Sequence, residues 1–308
     1  MPCCNPELVT MVRQAIAEGG LSQTAAAKAI GISAGQLSAI LGGKYEVDNI
    51  QASETKLRTW LDKTQKRKTI YRPLSIDFVP TSTSQHIFNL AESCRMYKEL
   101  GVCVGKAGVG KTTSVREYAK QHNDVILLYA NHSITKRSLL EDLAEALNLN
   151  SKGYCSVLMK RCAARLHNGD FCVIVDEAEH LDADILDDLR RLADPEVGGC
   201  GLLLIGLERF LANLKSSRAE YEYLTSRMCH QKKVKDLSDK GVQDICAAAG
   251  EVYAPWHKQF GKVTHNPRRL INLLNMCQRI MHTTSIKTNE PCPMGEDVIA
   301  MAAEQLVF

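Results

Sequence analysis

The residues with the clearest capacity for chemistry are Gly105-Lys106-Ala107-Gly108-Val109-Gly110-Lys111-Thr112, which fit G-x-x-x-x-G-K-[ST]. They follow a short apolar run at 102–104 and precede a helical pattern at 113–121, so strand, glycine loop and helix come in the order this motif needs. The glycines let backbone N–H groups, up to that of Thr113, wrap phosphate oxygens at a helix N-terminus. Lys111 would neutralise the outer phosphates of a nucleoside triphosphate, and the Thr112 hydroxyl would bind Mg²⁺. A second cluster, Asp176 and Glu177, closes the apolar run 171–175. The carboxyl end of a strand in an open parallel sheet faces the ligand crevice, which would place Asp176 in the Mg²⁺ shell and leave Glu177 to orient and deprotonate an attacking water. Acids decorating a helix N-terminus would account for Asp176, Glu177 and Glu179 alone, but not for the strand and glycine loop arriving in register. His180 beside them reads as a packing or capping residue. ATP and Mg²⁺ are the expected ligands, and ATP hydrolysis the expected reaction.

Such residues need a scaffold that brings strand ends together. Apolar runs at 102–104, 125–130, 171–175, 202–205 and 228–234 alternate with helical segments, which reads as an α/β core, a parallel sheet flanked by helices, over residues 85–236. Beyond it only helical patterns remain, at about 238–249, 267–282 and 295–306, giving a C-terminal helical lid domain over 237–308. At the other end, residues 10–61 are helical with interruptions at Gly19-Gly20, Gly31 and Gly42-Gly43, and residues 1–66 read as a small all-α domain. The apolar period fades between 62 and 84 while Pro73, Pro80 and a polar stretch appear, so 67–84 reads as a linker.

The 308 residues are 45% hydrophobic, enough for a sizeable core. No stretch reaches the roughly 18 uninterrupted apolar residues of a membrane span, and MPCCNPELVT lacks the basic-then-apolar order of a secretory signal. A cytoplasmic protein without a membrane partner is expected. The 12 cysteines lack C-x-x-C pairing and read as reduced, mostly buried thiols rather than zinc ligands or disulfides. The net charge of +3 is concentrated in residues 1–70, where nine Lys/Arg meet six Asp/Glu, ending in Lys63, Lys66, Arg67 and Lys68. A polyanion partner near this end or a solvated linker would each explain that run.

Residues 23–41 combine small side chains (Ala25, Ala26, Ala27), a turn glycine (Gly31) and apolar Ile32, Leu37 and Ile40. This spacing resembles a helix-turn-helix of the lambda-repressor type. Ser33 would cap the second helix; Ala34, Gly35, Gln36 and Ser38 would then face a major groove, with Gln36 able to pair an adenine edge and Lys44 near a phosphate. That helix contains no arginine, so its power to read bases is thin. A small helical domain that contacts protein instead is the alternative.

The glycine loop, the strand ending in Asp-Glu, two further strands and the helical C-terminal region together resemble the AAA+ ATPase family. That resemblance implies rings or helical filaments whose active sites are completed by a neighbour's arginine. Leu224-Thr225-Ser226-Arg227 is similar to that element, making Arg227 the candidate finger, with Arg218 as a competitor and an ordinary ion pair as the other reading. His265-Asn266-Pro267-Arg268-Arg269 resembles the family's sensor 2, which would bring Arg268 rather than Arg269 to the γ-phosphate. One departure stands out: the fourth strand ends Ile205-Gly206-Leu207-Glu208, and Leu207 cannot hydrogen-bond where the family commonly presents a polar sensor 1 residue. Either turnover is slow or another residue takes that role.

The whole layout resembles the transposition ATPases of Mu-like phages, including Val173-Ile174-Val175-Asp176-Glu177-Ala178-Glu179-His180-Leu181 and Ser226-Arg227. The resemblance implies a phage- or prophage-encoded protein of the bacterial host cell. It would bind double-stranded target DNA non-specifically with ATP, polymerise on it, and deliver it to a DDE-type transposase that stimulates its ATPase. Core phosphate contacts would supply sequence-independent affinity, with Lys232, Lys233 and Lys235 as contributors or as a solvated strand end. Two other classes remain open: an ATP-switched helix-turn-helix transcriptional regulator, and a helper ATPase for helicase loading, secretion or a replication complex.

Overall fold

The computed structural model describes residues 5–18, 20–43, 50–68, 73–216 and 218–306. The chain divides into two compact units, Met1–Arg72 with Ile286–Asn289, and Pro73–Ser285 with Glu290–Phe308.

In the first unit, α1 (Pro6–Glu18), α2 (Gln23–Ile30), α3 (Ala34–Leu41) and α4 (Ile50–Lys68) enclose a core of Leu8, Val12, Ala26, Ala27, Ile30, Leu37, Ile40, Leu57 and Trp60. Ser22 caps α2, Gly31 (φ 81°) ends it, and Ser33 caps α3 through a capping box with Gln36. The helix α4 continues through the basic run that sequence periodicity leaves outside it. Lys, Arg and Gln are good helix formers without contributing to an apolar stripe, so periodicity alone misses this extension. Lys44 lies outside the described residues, as do the side chains of Lys66, Arg67 and Lys68.

The second unit opens with an extended segment, 73–81, whose Leu74, Ile76 and Val79 are half-buried against the C-terminal helices. Polar composition there reflects a lack of regular structure, not a lack of packing. Next come α5 (Ser82–Tyr97), β1 (Leu100–Val104), α6 (Lys111–Gln121), β2 (Val125–Tyr129), α7 (Lys136–Ala146), α8 (Cys155–His167) and β3 (Cys172–Asp176). The remainder is α9 (Ala183–Ala193), β4 (Gly201–Gly206), α10 (Glu208–Ser216), α11 (Arg218–Thr225), β5 (Met228–Lys233), α12 (Asp239–Ala249), α13 (His257–Val263), α14 (Pro267–Thr288) and α15 (Glu296–Gln305).

The sheet is parallel throughout, in the order β2-β3-β4-β1-β5. The inner strands β1, β3 and β4 are buried along their whole length, which explains their unbroken apolar runs. Alternation assigns their two faces. Cys103, Ile174, Leu203 and Ile205 meet Ile87, Leu90, Val115 and Tyr118 of α5 and α6. Val102, Val173, Val175, Leu202 and Leu204 meet Leu143, Leu158, Leu166 and Leu189 of α7, α8 and α9. The helices α12 to α15 enclose a further core around Phe260, Leu270, Leu273 and Cys277. Several cysteines fill these interiors as small hydrophobes, and burial pushes the Cys103 and Cys277 thiols up to about 12.

Candidate functional site

A cavity of about 400 Å³ lies at the carboxyl ends of β3 and β4, bounded by the loop after β1 and the start of α14. It sits where strand order reverses around β1, the position at which open α/β sheets hold their ligands. Its lining includes Ala107, Gly108, Gly110, Lys111, Thr112 and Thr113. Among the other loop residues, Gly105 and Lys106 act through backbone oxygens: Lys111 Nζ donates to Gly105 O at 2.8 Å and Lys106 O at 2.9 Å. Val109 turns its side chain into the core against α5 and α6 and pins the loop from beneath. No side chain caps α6, whose N-cap is Gly110. Its first-turn N–H groups are therefore free of side-chain acceptors and face the cavity end.

Lys111 is 9% exposed. Burial pushes its ammonium below the usual lysine value, while the carboxylates of Asp176 and Glu179 push it back up. Asp176 is buried beside it. One of its oxygens accepts the Glu177 N–H at 3.0 Å, and the other, Oδ2, makes no hydrogen bond among the described residues. A buried carboxylate oxygen without a partner is costly unless a cation answers it. With Thr112 also lining the cavity, the oxygen ligands present fit a small divalent cation such as Mg²⁺.

Glu177 has φ 56°, a left-handed conformation uncommon outside glycine and asparagine, and its side chain is half-exposed in the cavity. The turn throws this carboxylate out of the strand while Asp176 stays within it. His180 Nε2 lies 3.8 Å from Glu177 Oε2, and its ring packs on His132 with centroids 3.9 Å apart. His180 thus packs, as sequence reading expects, and also forms cavity wall.

The start of α14 is tied to the glycine loop. Asn266 Nδ2 donates to Ala107 O at 2.9 Å and to Asp236 Oδ1 at 3.2 Å, and the Arg268 N–H donates to Gly108 O. Arg268 lines the cavity, Arg269 does not appear in its lining, and Lys106 pairs with Asp236 at 3.6 Å. Gly108 has φ 79°, and a Cβ there would come within 2.6 Å of Asn266 Oδ1. The loop therefore needs glycine for both conformation and space.

Other sequence candidates lie elsewhere. Arg227 precedes β5 at the opposite end of the strands from the cavity, where its guanidinium meets Asp194 Oδ2 at 2.6 Å. It cannot serve the cavity of its own chain. The Arg218 side chain lies outside those described. Lys233 pairs with Glu208 at 2.7 Å, and Lys232 is half-buried on the edge strand β5. On α3, Gln36 and Ser38 are exposed, but Gln36 Oε1 already accepts the Ser33 N–H at 2.9 Å. Sequence reading missed Asn266, Arg209 and the role of Glu179. Asn266 stands two residues before Arg268 in the quoted motif, whereas nothing in local pattern points to Arg209.

Fold and cavity together define a P-loop ATPase of the AAA type, and a family model described as an AAA domain matches residues 94–214. The chain is 31% identical to the Mu-like prophage FluMu DNA transposition protein B of Haemophilus influenzae, over 79% of this chain and 85% of that protein. It is 29% identical to the ATP-dependent target DNA activator B of Escherichia phage Mu, over 84% of each. The chain belongs to this family of Mu-like transposition B proteins and is an ATPase. Among solved structures, the Aeropyrum pernix ORC2 protein shares the fold, with a TM-score of 0.58 at 16% identity, covering 75% of this chain and 70% of that one. No helix among the described residues is long and apolar enough to cross a membrane.

Proposed function

We propose that the chain binds double-stranded DNA without regard to sequence when loaded with ATP, assembles on it as a helical filament or ring, and hands that DNA to a transposase. Within the cavity the loop N–H groups, Lys111 and Arg268 hold the phosphates, and Thr112 and Asp176 hold Mg²⁺, which screens the charge on their oxygens. Glu177 takes the proton of the attacking water. Arg227 reaches the nucleotide of a neighbouring subunit, so ATP binding favours assembly and hydrolysis releases it. The separation of Arg227 from its own cavity carries the self-assembly part. The DNA and transposase parts are supported by relatives bearing the name target DNA activator.

The exposed face of α3, with Ala34, Gly35, Gln36 and Ser38, gives the N-terminal unit a helix-turn-helix able to lie along DNA, and Lys232 and Lys233 are further candidate phosphate contacts. The acceptor of Gln36 is spent on its own helix, which favours phosphate-dominated binding over base reading. The C-terminal helices act as a lid, and the protein works in the cytoplasm of the host of a phage or prophage. Anisotropy and electron microscopy on two unrelated duplexes, with and without ATP and Mg²⁺, test the reading. Cooperative, ATP-dependent coating of both duplexes is expected; tight ATP-independent binding to one alone would replace it with that of a transcriptional regulator.

A further inference from the structure

The cavity holds a cation supplied neither by the glycine loop nor by α14. Arg209 stands in the first turn of α10, just past the end of β4, and lines the cavity. Its side chain is 60% exposed, and its ionic contact is Glu179 Oε1, 4.0 Å away. That distance is too long for a hydrogen bond. The guanidinium fork, shaped for bidentate contact with phosphate, is thus uncommitted among the described residues.

Glu179 is fixed. Its side chain is 4% exposed, and its Oε2 accepts the Leu207 N–H at 3.1 Å. A Cβ on Gly206 would fall 2.7 Å from that oxygen, so glycine is what lets the carboxylate reach the strand end. Glu179 therefore clamps the end of β4 to the turn after β3 and presents its second oxygen to Arg209. Leu207 lines the cavity with no polar side-chain atom, and its N–H is occupied. Because β3 and β4 are neighbours, with Val175 opposite Leu204, a residue just past β4 stands beside Asp176 and Glu177. Bond breaking must occur next to those carboxylates, at the terminal phosphate.

We propose that Arg209 is a phosphate ligand in its own subunit's nucleotide site, contacting the terminal phosphate from the end of β4, and that Glu179 is the positioning residue that aims it. The proposal rests on this cavity being the nucleotide site. It assigns to an arginine two positions further on the contact that Leu207 cannot make.

The test is calorimetric titration of the full chain with a non-hydrolysable ATP analogue and with ADP, on wild type, Arg209→Ala, Arg209→Lys, Glu179→Gln and Lys111→Ala. Loss of a charge-assisted contact should weaken the analogue for Arg209→Ala by about 10- to 100-fold and ADP by no more than about twofold. Arg209→Lys should recover part of the loss, because a point charge replaces the fork. Glu179→Gln keeps an acceptor for Leu207 and should show a smaller loss in the same triphosphate-selective sense. Equal loss of both nucleotides, or none, in Arg209→Ala overturns the proposal while leaving the site intact, provided Lys111→Ala weakens both. If Lys111→Ala changes neither nucleotide, the site assignment itself fails and the proposal with it. Mixing Arg209→Ala with Glu177→Gln subunits asks whose site the arginine serves. No recovery of ATPase is expected, since no subunit then holds both residues, and recovery would assign Arg209 to a neighbour's nucleotide and overturn the proposal.

Discussion

Lys111 and Glu177 show how one cavity holds charged groups in opposite ways. The lysine is buried and held by two carbonyl oxygens, so its position is set before any phosphate arrives. Its lowered pKa means the ammonium loses its proton at a lower pH than an exposed lysine does. Phosphate binding requires the charged form, so nucleotide affinity should fall as pH rises through that lowered value. Lys111→Ala removes the charge outright and should weaken ATP by about 100-fold or more in calorimetry, several charge-assisted contacts being lost together. Unchanged affinity would remove this cavity from consideration as the nucleotide site. Glu177 stands in a strained left-handed turn with its carboxylate half in solvent, poised at the mouth of the cavity. Glu177→Gln keeps the shape and removes the proposed base, so the variant should bind ATP normally and hydrolyse it about 10²- to 10⁴-fold more slowly. Normal steady-state turnover would show that another group accepts the proton.

Elements decide which of these residues meet. The apolar runs and the glycine loop were legible in sequence because buried strands and phosphate loops leave local patterns: both faces of β1, β3 and β4 are covered, and the loop's spacing is fixed by its own chemistry. Arg209 and Asn266 were not legible as site residues. Their places depend on the strand order β2-β3-β4-β1-β5 and on the docking of α14, neither of which has a period to read. The short helix α13 was missed for a related reason, being too brief for a helical stripe to emerge. Contact between Asn266 and the glycine loop gives an element-scale prediction that separates strain from collision. Gly31 and Gly108 have nearly the same φ, 81° and 79°, but nothing lies within 4 Å of a Cβ at Gly31 while Asn266 Oδ1 would be 2.6 Å from one at Gly108. Gly31→Ala should cost about 1–2 kcal/mol from backbone strain alone and leave ATP affinity unchanged. Gly108→Ala should carry that strain and also push α14 off the loop, lowering ATP affinity as well as the melting temperature. Equal behaviour of the two variants would mean that the α14 contact is dispensable.

At the scale of the whole molecule, the cavity and Arg227 occupy opposite ends of one sheet, so the proposed role of Arg227 at a nucleotide calls for a second copy of the chain. Arg227→Ala should bind ATP at low protein concentration yet lose the concentration-dependent part of hydrolysis. Mixing it with Glu177→Gln should restore part of that activity, because each subunit supplies what the other lacks; mixed assembly without recovery would leave Arg227 as the partner of Asp194 only. DNA recognition belongs to this scale too. The N-terminal residues carry the whole net charge of +3, yet their α3 offers no arginine to the bases and Gln36 spends its acceptor within the helix. Recognition should therefore be dominated by phosphates. A protein neutralising several phosphates releases their counterions, so affinity should fall linearly in log–log form with salt, with a slope of about −0.9 per phosphate. With ATP and Mg²⁺, anisotropy on two unrelated duplexes over a salt series should give the same steep slope and similar affinities. Removing residues 1–70, the bulk of the first compact unit, takes away the net charge of +3 and should weaken binding and flatten the slope. Filaments or rings should still form with ATP, since the cavity and Arg227 both lie in the second unit. Discrimination between the duplexes by about 10³-fold or more would belong to a site-specific regulator, and a truncated chain that no longer assembles would place the subunit contact in the N-terminal helices instead.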